Sequence, residues 1–283
     1  MRQAIIIGIA ALLWTDAHAK KDSRFPSSEI KVSYCYHEKF MRGNTEFAER
    51  DIAMLLLANS GESKFYCPGT EYKDSLDSTP SGRAKAKQIR DIAVRKYIES
   101  KDESALNSIT YKTFIYVFKD NDAGTLTVYD KAGMSEKGVY SEPFGELIWE
   151  IGDSTKTVLD YECIMATACY HGRKWTAWFT PEIPLQDGPW KLRGLPGLIL
   201  EATEADGHHS FVADGIEMSV LPIYPIYDID RYDKMERLDM LRNLRYYRDH
   251  SNSIARTATG GRLDLGQDAP PQTEYDFLET DYR

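Results

Sequence analysis

The sequence lacks the residue patterns by which most catalytic sites are recognised. It contains no G-x-S-x-G nucleophile motif, and HEKFM at His37 lacks the second histidine of an H-E-x-x-H zinc site. Neither a phosphate-binding loop nor a dinucleotide fingerprint occurs. None of the four cysteines forms a C-x-x-C pair, and no histidine pair completes zinc-ligand spacing. We therefore assign no catalytic residue, no metal site and no cofactor, and we favour a non-enzymatic protein.

Positive charge is also scarce. Lys and Arg number 35 against 44 Asp and Glu, for a net charge of −9. This balance argues against a nucleic-acid partner, because phosphate binding needs a concentrated basic face. One basic stretch, residues 81–100, carries Ile89, Ala93 and Tyr97 at helical spacing. A basic helix could lie on anionic lipid, but the short apolar stripe favours a solvated helix that covers one face of a sheet.

Long apolar runs are missing except at the N-terminus. Arg2, the apolar residues 4–14 and the small residues Ala17 and Ala19 are typical of a secretory signal peptide. The run is about half the ~20 residues that a membrane span needs, so we expect cleavage after Ala19 and no transmembrane segment in the mature chain. Periplasmic location is the first expectation, and outer-membrane association or secretion are the alternatives.

Three segments are expected along the chain: the signal peptide at residues 1–19, a single domain at 20–259, and an acidic, loosely ordered tail at 260–283. Export allows disulfides to persist. Cys35 and Cys67 each lie in an aromatic, strand-like segment, so a Cys35–Cys67 bond between neighbouring strands is our first choice among three full pairings.

The middle of the chain alternates between apolar and polar residues, which is typical of strands. It predicts an α+β fold, mainly antiparallel β, with a curved sheet or half-barrel of about 8–10 strands. Two helices are expected, the basic one near 81–100 and a C-terminal one near 230–250 with Asp230 as its N-cap. A meander is expected over residues 146–180, with turns at GDST (152–155) and HGRK (171–174).

Tryptophans are concentrated within about forty residues of this region. Trp175 and Trp178 have opposite parity on one predicted strand, so both of its faces carry large apolar groups. The second face is either covered by a helix or open as a groove, and a groove with a few polar groups suits a small ligand. The residues assigned to ligand binding are Trp149, Arg173, Trp175, Trp178, Trp190 and Arg193.

The segment GPWKLRGLPGLILEA (residues 188–202) joins this meander to a further strand. Pro196 and Gly197 fit the central positions of a type II turn, and the other glycines allow close backbone approach. We interpret the motif as a structural bend rather than a phosphate or substrate loop. Its residues are Gly188, Pro189, Gly194, Leu195, Pro196, Gly197, Leu198 and Ile199.

GLPGLILEA at residues 194–202, preceded by GPWKLR and by GRKWTAWFTPEIP at 172–184, resembles the GLPGLI family of exported Bacteroidetes proteins. The likeness extends over roughly residues 52–216. Cys67 departs from the family pattern, where a small polar residue is expected, and so does Cys169. The resemblance implies export and an envelope location, but the family has no known activity, so it implies no catalytic residue.

The leading hypothesis is an exported cell-envelope protein that binds an apolar or peptide-like ligand, such as a lipid or a peptide, or an envelope protein partner. A second hypothesis is a hydrolase with an unfamiliar site near His171 and Arg173, with Asp160 as a third member. A third is a structural or assembly factor that docks through an exposed edge strand or through the acidic tail.

Overall fold

The computed structural model describes residues 25–42, 46–133, 136–145, 147–223, 225–261, 267–268 and 277–282. The predicted signal peptide and most of the predicted tail lie outside these residues. The strands are β1 Ile30–Arg42, β2 Glu46–Ala58, β3 Glu62–Tyr66, β4 Tyr116–Asp120, β5 Thr125–Lys131, β6 Lys137–Pro143, β7 Glu150–Val158, β8 Tyr161–Tyr170, β9 Arg173–Thr180, β10 Leu198–Glu204, β11 His209–Met218 and β12 Asp233–Lys234. The helices are α1 Pro68–Asp77, α2 Pro80–Ser100, α3 Arg237–Asp249 and α4 Ser251–Ala258.

The strands form one sheet in the order β12-β6-β5-β4-β3-β2-β1-β11-β10-β9-β8-β7. Every neighbouring pair is antiparallel except β12 with β6. The predicted α+β, mainly antiparallel class is confirmed. The sheet has 12 strands rather than about 8–10, and within the described residues no ladder joins β7 to β12. It is therefore an open sheet and not a closed barrel.

Both faces of the sheet bury apolar side chains. Successive residues of a strand point to opposite faces, and several strands carry apolar residues at successive positions. The larger core runs along one face and includes Tyr34, Trp175 and Trp190. A smaller core on the other face spans β2 to β6 and is closed by Leu221, Ile223, Ile226 and Tyr232. The candidate functional site described below lies on the face of the larger core.

The meander differs from the prediction at one turn. GDST does not end a strand: β7 runs through it, and the pairing with β8 shifts between Ile151 and Thr155, which marks an irregularity in the ladder. The turn lies instead at Leu159 and Asp160, both of which have positive φ. The predicted turn at HGRK is present, with His171 and Gly172 at φ 48° and 80°.

Both predicted helices are present. Thr79 caps the start of α2 by accepting a hydrogen bond from the Gly82 amide. α2 packs mainly against α1 and a short 3-10 helix rather than across the sheet, and only Ala93 of its residues is buried. The C-terminal helix α3 starts after Glu236 and not at Asp230, because residues 229–234 form a 3-10 turn and then β12. Among the described helices, none combines the length and apolarity of a membrane span.

The structure does not contain the expected Cys35–Cys67 disulfide, and all four cysteines are free. Cys35 pairs with Ala53 of β2, whereas Cys67 directly follows β3 on the far side of β2. An intervening strand separates the two Cα atoms by roughly 9–10 Å, and a disulfide requires less than about 7 Å.

Candidate functional site

The segment between β9 and β10, residues 181–197, leaves the sheet and folds over its larger core. A buried ion pair anchors it: the Lys119 ammonium contacts the Asp187 carboxylate and donates to the Gly188 carbonyl at 2.6 Å. Both charged side chains are almost fully buried. This anchor brings Trp190, whose backbone lies in the left-handed region at φ 53°, into the core against Trp175.

The glycines of this segment are needed for shape, although the turn is not of the predicted type. Gly197 does not have positive φ; Gly194 does, at 87°. The Gly197 amide donates to the Leu195 carbonyl at 2.8 Å, which is a three-residue turn around Pro196. A Cβ at Gly197 would lie 2.1 Å from the Thr180 carbonyl oxygen. Glycine is therefore required there because the backbone of β9 approaches it closely.

A cavity of about 280 Å³ opens beside Trp190. Its walls come from the ends of β1, β2 and β5, from residues 111–115 before β4, from α3 and from the C-terminal segment 277–282. We call it the Trp190 cavity. Its lining residues are Tyr36, Glu38, Arg50, Tyr111, Lys112, Thr113, Phe114, Ile115, Asp130, Lys131, Trp190, Leu241, Leu244, Tyr247, Arg248, Phe277, Leu278 and Glu279.

Charged groups of both signs line this cavity. Glu38 is buried and paired with Arg50 at 2.6 Å. The Lys131 ammonium lies over two aromatic rings, 4.7 Å from the centroid of Tyr247 and 5.2 Å from that of Phe114. Burial raises the pKa of Asp130 to about 6, although nearby Arg and Lys side chains partly oppose this.

A cluster of ionic groups lies behind Trp190. Lys191 is fully buried and contacts Glu142 at 2.7 Å and Glu279 at 2.8 Å. Arg237 binds Glu279 at 2.6 Å, and His171 Nδ1 lies 3.1 Å from Asp281. We call this set the His171 cluster; its members are His171, Glu142, Lys191, Arg237, Glu279 and Asp281.

The carboxylates of the His171 cluster are held in their ionised form. Burial alone would raise the pKa of Glu142, but hydrogen bonding to His171 and the Lys191 ammonium outweigh it and lower the pKa to about 2. Against the same effect of burial, the surrounding cations also lower the pKa values of Glu279 and Asp281. These groups tie the C-terminal segment to β6, to the β8–β9 turn and to α3.

The His171 cluster includes three groups that could ligate a metal ion. Donor atoms of His171, Glu279 and Asp281 lie within 4.8 Å of one another, and such N and O donors suit zinc or a similar ion. Arg237 already contacts both carboxylates, however, and Lys191 contacts one of them. Because two cations already compensate these carboxylates, we interpret the cluster as an ion-pair network rather than a metal site.

The residues assigned to ligand binding from the sequence separate into four places. Trp190 lines the cavity, and Trp175 lies behind it in the core with ring centroids 5.6 Å apart. Trp149 Nε1 donates to the Arg193 carbonyl at 2.8 Å, away from the cavity lining. Trp178 lies under the Lys156 ammonium.

Arg173, the remaining predicted residue, does not line the cavity but binds a residue that does. It is buried, and its Nε donates to the Phe277 carbonyl at 2.8 Å. Its guanidinium also pairs with Glu204 at 3.3 Å. Arg173 thus fixes the C-terminal segment that closes one side of the Trp190 cavity.

The three residues proposed as a hydrolase site do not converge. Asp160 lies in the turn before β8 and His171 in the turn after it, at opposite ends of a ten-residue strand. At ~3.3 Å per residue along the strand the two are roughly 35 Å apart.

A family model described as "Protein of unknown function (Porph_ging)" matches residues 170–201. This stretch runs from the β8–β9 turn through Trp190 and Lys191 into β10. No protein with a curated description matches the chain.

Among solved structures, two of PNGF-II, in the P21 and C2 space groups, are similar to this chain at 11% sequence identity. They cover 78% and 77% of this chain, with TM-scores of 0.49 and 0.47. The chain spans about a third of the length of each, 34% and 33%. Likeness at this distance says nothing about function.

Sequence reasoning missed most of the residues that form the site. Asp130, Lys131, Arg237 and Glu279 carry no motif and lie in three separate parts of the chain. Glu279 in particular is one of several acidic residues in the predicted tail, and no feature of the sequence around it distinguishes it from the others. A weak signal existed at Trp190, because a tryptophan beside two cations in a glycine-rich bend is unusual for an exposed loop.

Proposed function

We propose that this chain is an exported, non-enzymatic binding protein of the cell envelope, and that a small ligand occupies the Trp190 cavity. The observation that carries the proposal is the cavity itself, about 280 Å³ in volume and lined by six aromatic and seven charged residues. Small-molecule sites combine aromatic and apolar walls with polar groups that orient the ligand, in volumes of about 300–1,000 Å³. The Trp190 cavity has both kinds of group, in a slightly smaller and more highly charged space.

Two further features support a binding role. The cavity lies next to rigid elements, because the Lys119–Asp187 pair and the His171 cluster fix the segments that carry Trp190 and Glu279. Rigid support lowers the ordering cost of binding. The predicted signal peptide and the GLPGLI hexapeptide at residues 194–199 support export and membership of the GLPGLI family, both of which belong to this proposal.

Native mass spectrometry of the exported chain, purified without denaturant from the envelope, tests the proposal. We expect a small molecule bound at one per chain. Leu244→Trp should exclude it, because Leu244 lines the cavity and the larger ring would fill the space. Trp190→Phe should lower the occupancy, whereas the matched change Trp178→Phe, outside the cavity lining, should leave it unchanged.

The proposal fails if repeated preparations of the wild-type chain carry no molecule. It also fails if a molecule is present but stays bound in a folded Leu244→Trp variant, since the ligand would then lie elsewhere.

A further inference from the structure

We infer that the face of the sheet opposite the larger core binds an extended, uncharged β-1,4-linked glycan along a row of four hydroxyl groups. The row is formed by Thr167, Thr176, Thr203 and Ser210, on β8, β9, β10 and β11. We call it the hydroxyl row. It is separate from the Trp190 cavity, and the inference does not depend on what that cavity binds.

The strand register places the four residues side by side. Thr167 pairs with Thr176, Thr176 with Thr203, and Thr203 with Ser210. Each residue therefore lies opposite the next at the strand spacing of about 4.8 Å. The four positions extend over roughly 14 Å, so they form a line perpendicular to the strands.

The hydroxyl row lies on the face that the larger core does not use. Thr176 stands between Trp175 and Ala177, both of which are buried in the larger core, and successive residues of a strand point to opposite faces. The smaller core covers this second face over β2 to β6, whereas all four residues of the row are partly exposed. A ligand that approaches β8 to β11 from solvent on this side therefore meets the hydroxyl row.

The hydroxyl groups of the row have no hydrogen-bond partner among the described residues. This is not general in the sheet, because Thr127 and Ser141 face one another across β5 and β6 with their hydroxyl oxygens 2.9 Å apart. Each hydroxyl can donate one hydrogen bond and accept two. The row thus suits a ligand that itself carries hydroxyl groups at a similar spacing.

The spacing indicates a polymer rather than a single sugar. In an extended β-1,4-linked glycan each ring advances the chain by nearly the distance between neighbouring strands, so successive rings meet successive hydroxyls. One hydrogen bond between uncharged groups contributes little net free energy in water, and a monosaccharide would therefore bind weakly. A chain that contacts all four hydroxyls makes several such bonds for a single loss of translational freedom.

The charges beside the row favour an uncharged ligand. Two pairs of charged neighbours contact one another, His37 with Asp51 at 2.9 Å and Lys156 with Glu201 at 2.6 Å. Lys174 on β9 and Glu150 on β7 flank the row and carry opposite charges. Because positive charge is not in excess here, a polyanion would not be attracted, whereas an uncharged glycan leaves these pairs intact.

Isothermal titration calorimetry of the wild-type chain with three soluble probes tests the inference: cellohexaose, cellobiose and maltohexaose. Cellohexaose has the extended β-1,4 linkage and enough rings to span the row. Cellobiose has the same linkage but meets at most two hydroxyls, and maltohexaose has the same glucose units in a curved α-1,4 chain. We expect cellohexaose to bind at least about tenfold more tightly than either of the others.

A double substitution then locates the glycan. Thr176→Val with Thr203→Val removes the two central hydroxyls, while valine keeps the branched shape and strand preference of threonine. The affinity for cellohexaose should fall roughly tenfold or more, and urea unfolding should change little. Thr127→Val removes a hydroxyl of β5 outside the row and should leave cellohexaose binding unchanged.

The inference is overturned if cellohexaose does not bind, if maltohexaose binds equally well, or if the folded double variant binds cellohexaose as the wild-type chain does. None of these outcomes bears on the Trp190 cavity. A molecule in that cavity is excluded by Leu244→Trp and unaffected by Thr176→Val with Thr203→Val, so the two binding proposals fail separately.

Discussion

Asp130 and Lys131 are neighbours in the chain, yet their side chains have different surroundings in the cavity. The Lys131 side chain lies over two aromatic rings, whereas burial raises the pKa of Asp130 to about 6. The Asp130 carboxylate accepts a hydrogen bond from the Lys131 amide at 2.7 Å, and the described residues include no cation within ion-pair distance of it. Its charged form therefore destabilises the folded protein at neutral pH.

Asp130→Asn should stabilise the protein in a pH-dependent manner. A raised pKa means that folding takes up a proton between about pH 4 and 6, so the wild-type chain loses stability as the pH rises through that window. Asparagine resembles the protonated acid, and the gain in unfolding free energy should be up to about 3 kcal/mol at pH 7.5 and near zero at pH 4. Urea unfolding at both pH values measures it.

Asp153→Asn, at an exposed position of β7, is the control and should change stability by less than about 0.5 kcal/mol at either pH. An Asp130→Asn gain of equal size at pH 4 and pH 7.5 would exclude proton uptake as its cause.

At the scale of elements, the bend between β9 and β10 is held by close contacts rather than by glycine conformation. Gly197→Ala should cost at least about 2 kcal/mol, because the new Cβ would lie 2.1 Å from a backbone oxygen of β9 that cannot rotate away. Gly215→Ala is the matched change, since its Cβ would meet only Ser33 at 3.8 Å. Thermal unfolding should show a clear loss for the first variant and little change for the second.

The elements also show what the sequence could predict. Alternation predicted the mainly antiparallel sheet, because strand residues of one parity face the larger core, and those of the other parity face the smaller core or solvent. The break at Leu159 escaped prediction, because leucine seldom adopts positive φ and Asp160 alone is a weaker turn signal than the GDST stretch before it. The His171 cluster escaped for another reason, since its members meet only through long-range packing of segments without motifs.

On the scale of the whole molecule, the C-terminal segment 277–282 acts as a strap across the larger core. Phe277, Glu279 and Tyr282 are buried, and the Thr280 amide donates to the His171 carbonyl at 3.0 Å. The lowered pKa values of Glu142, Glu279 and Asp281 mean that this stabilisation is complete above about pH 4.5 and is lost as the pH falls towards 2.

Glu279→Gln should release the strap at neutral pH, because Lys191 and Arg237 each lose a buried counter-ion. The expected cost is about 3 kcal/mol. Hydrogen exchange at the Thr280 amide should become much faster, while exchange in β1 changes little. Glu217→Gln, which removes an acid that is 61% exposed and paired with Lys31, should have neither effect. Unchanged protection of Thr280 in Glu279→Gln would show that apolar packing alone holds the strap.

The order of strands has a consequence for the time course of folding. Near the middle of the sheet, β1 pairs with β11, so Ile30 must find Met218 across most of the chain. The hairpins on either side can form from local contacts, but the two halves cannot join until β11 is available. Such non-local closure slows folding, and a chain that is to cross a membrane before it folds would benefit from that delay.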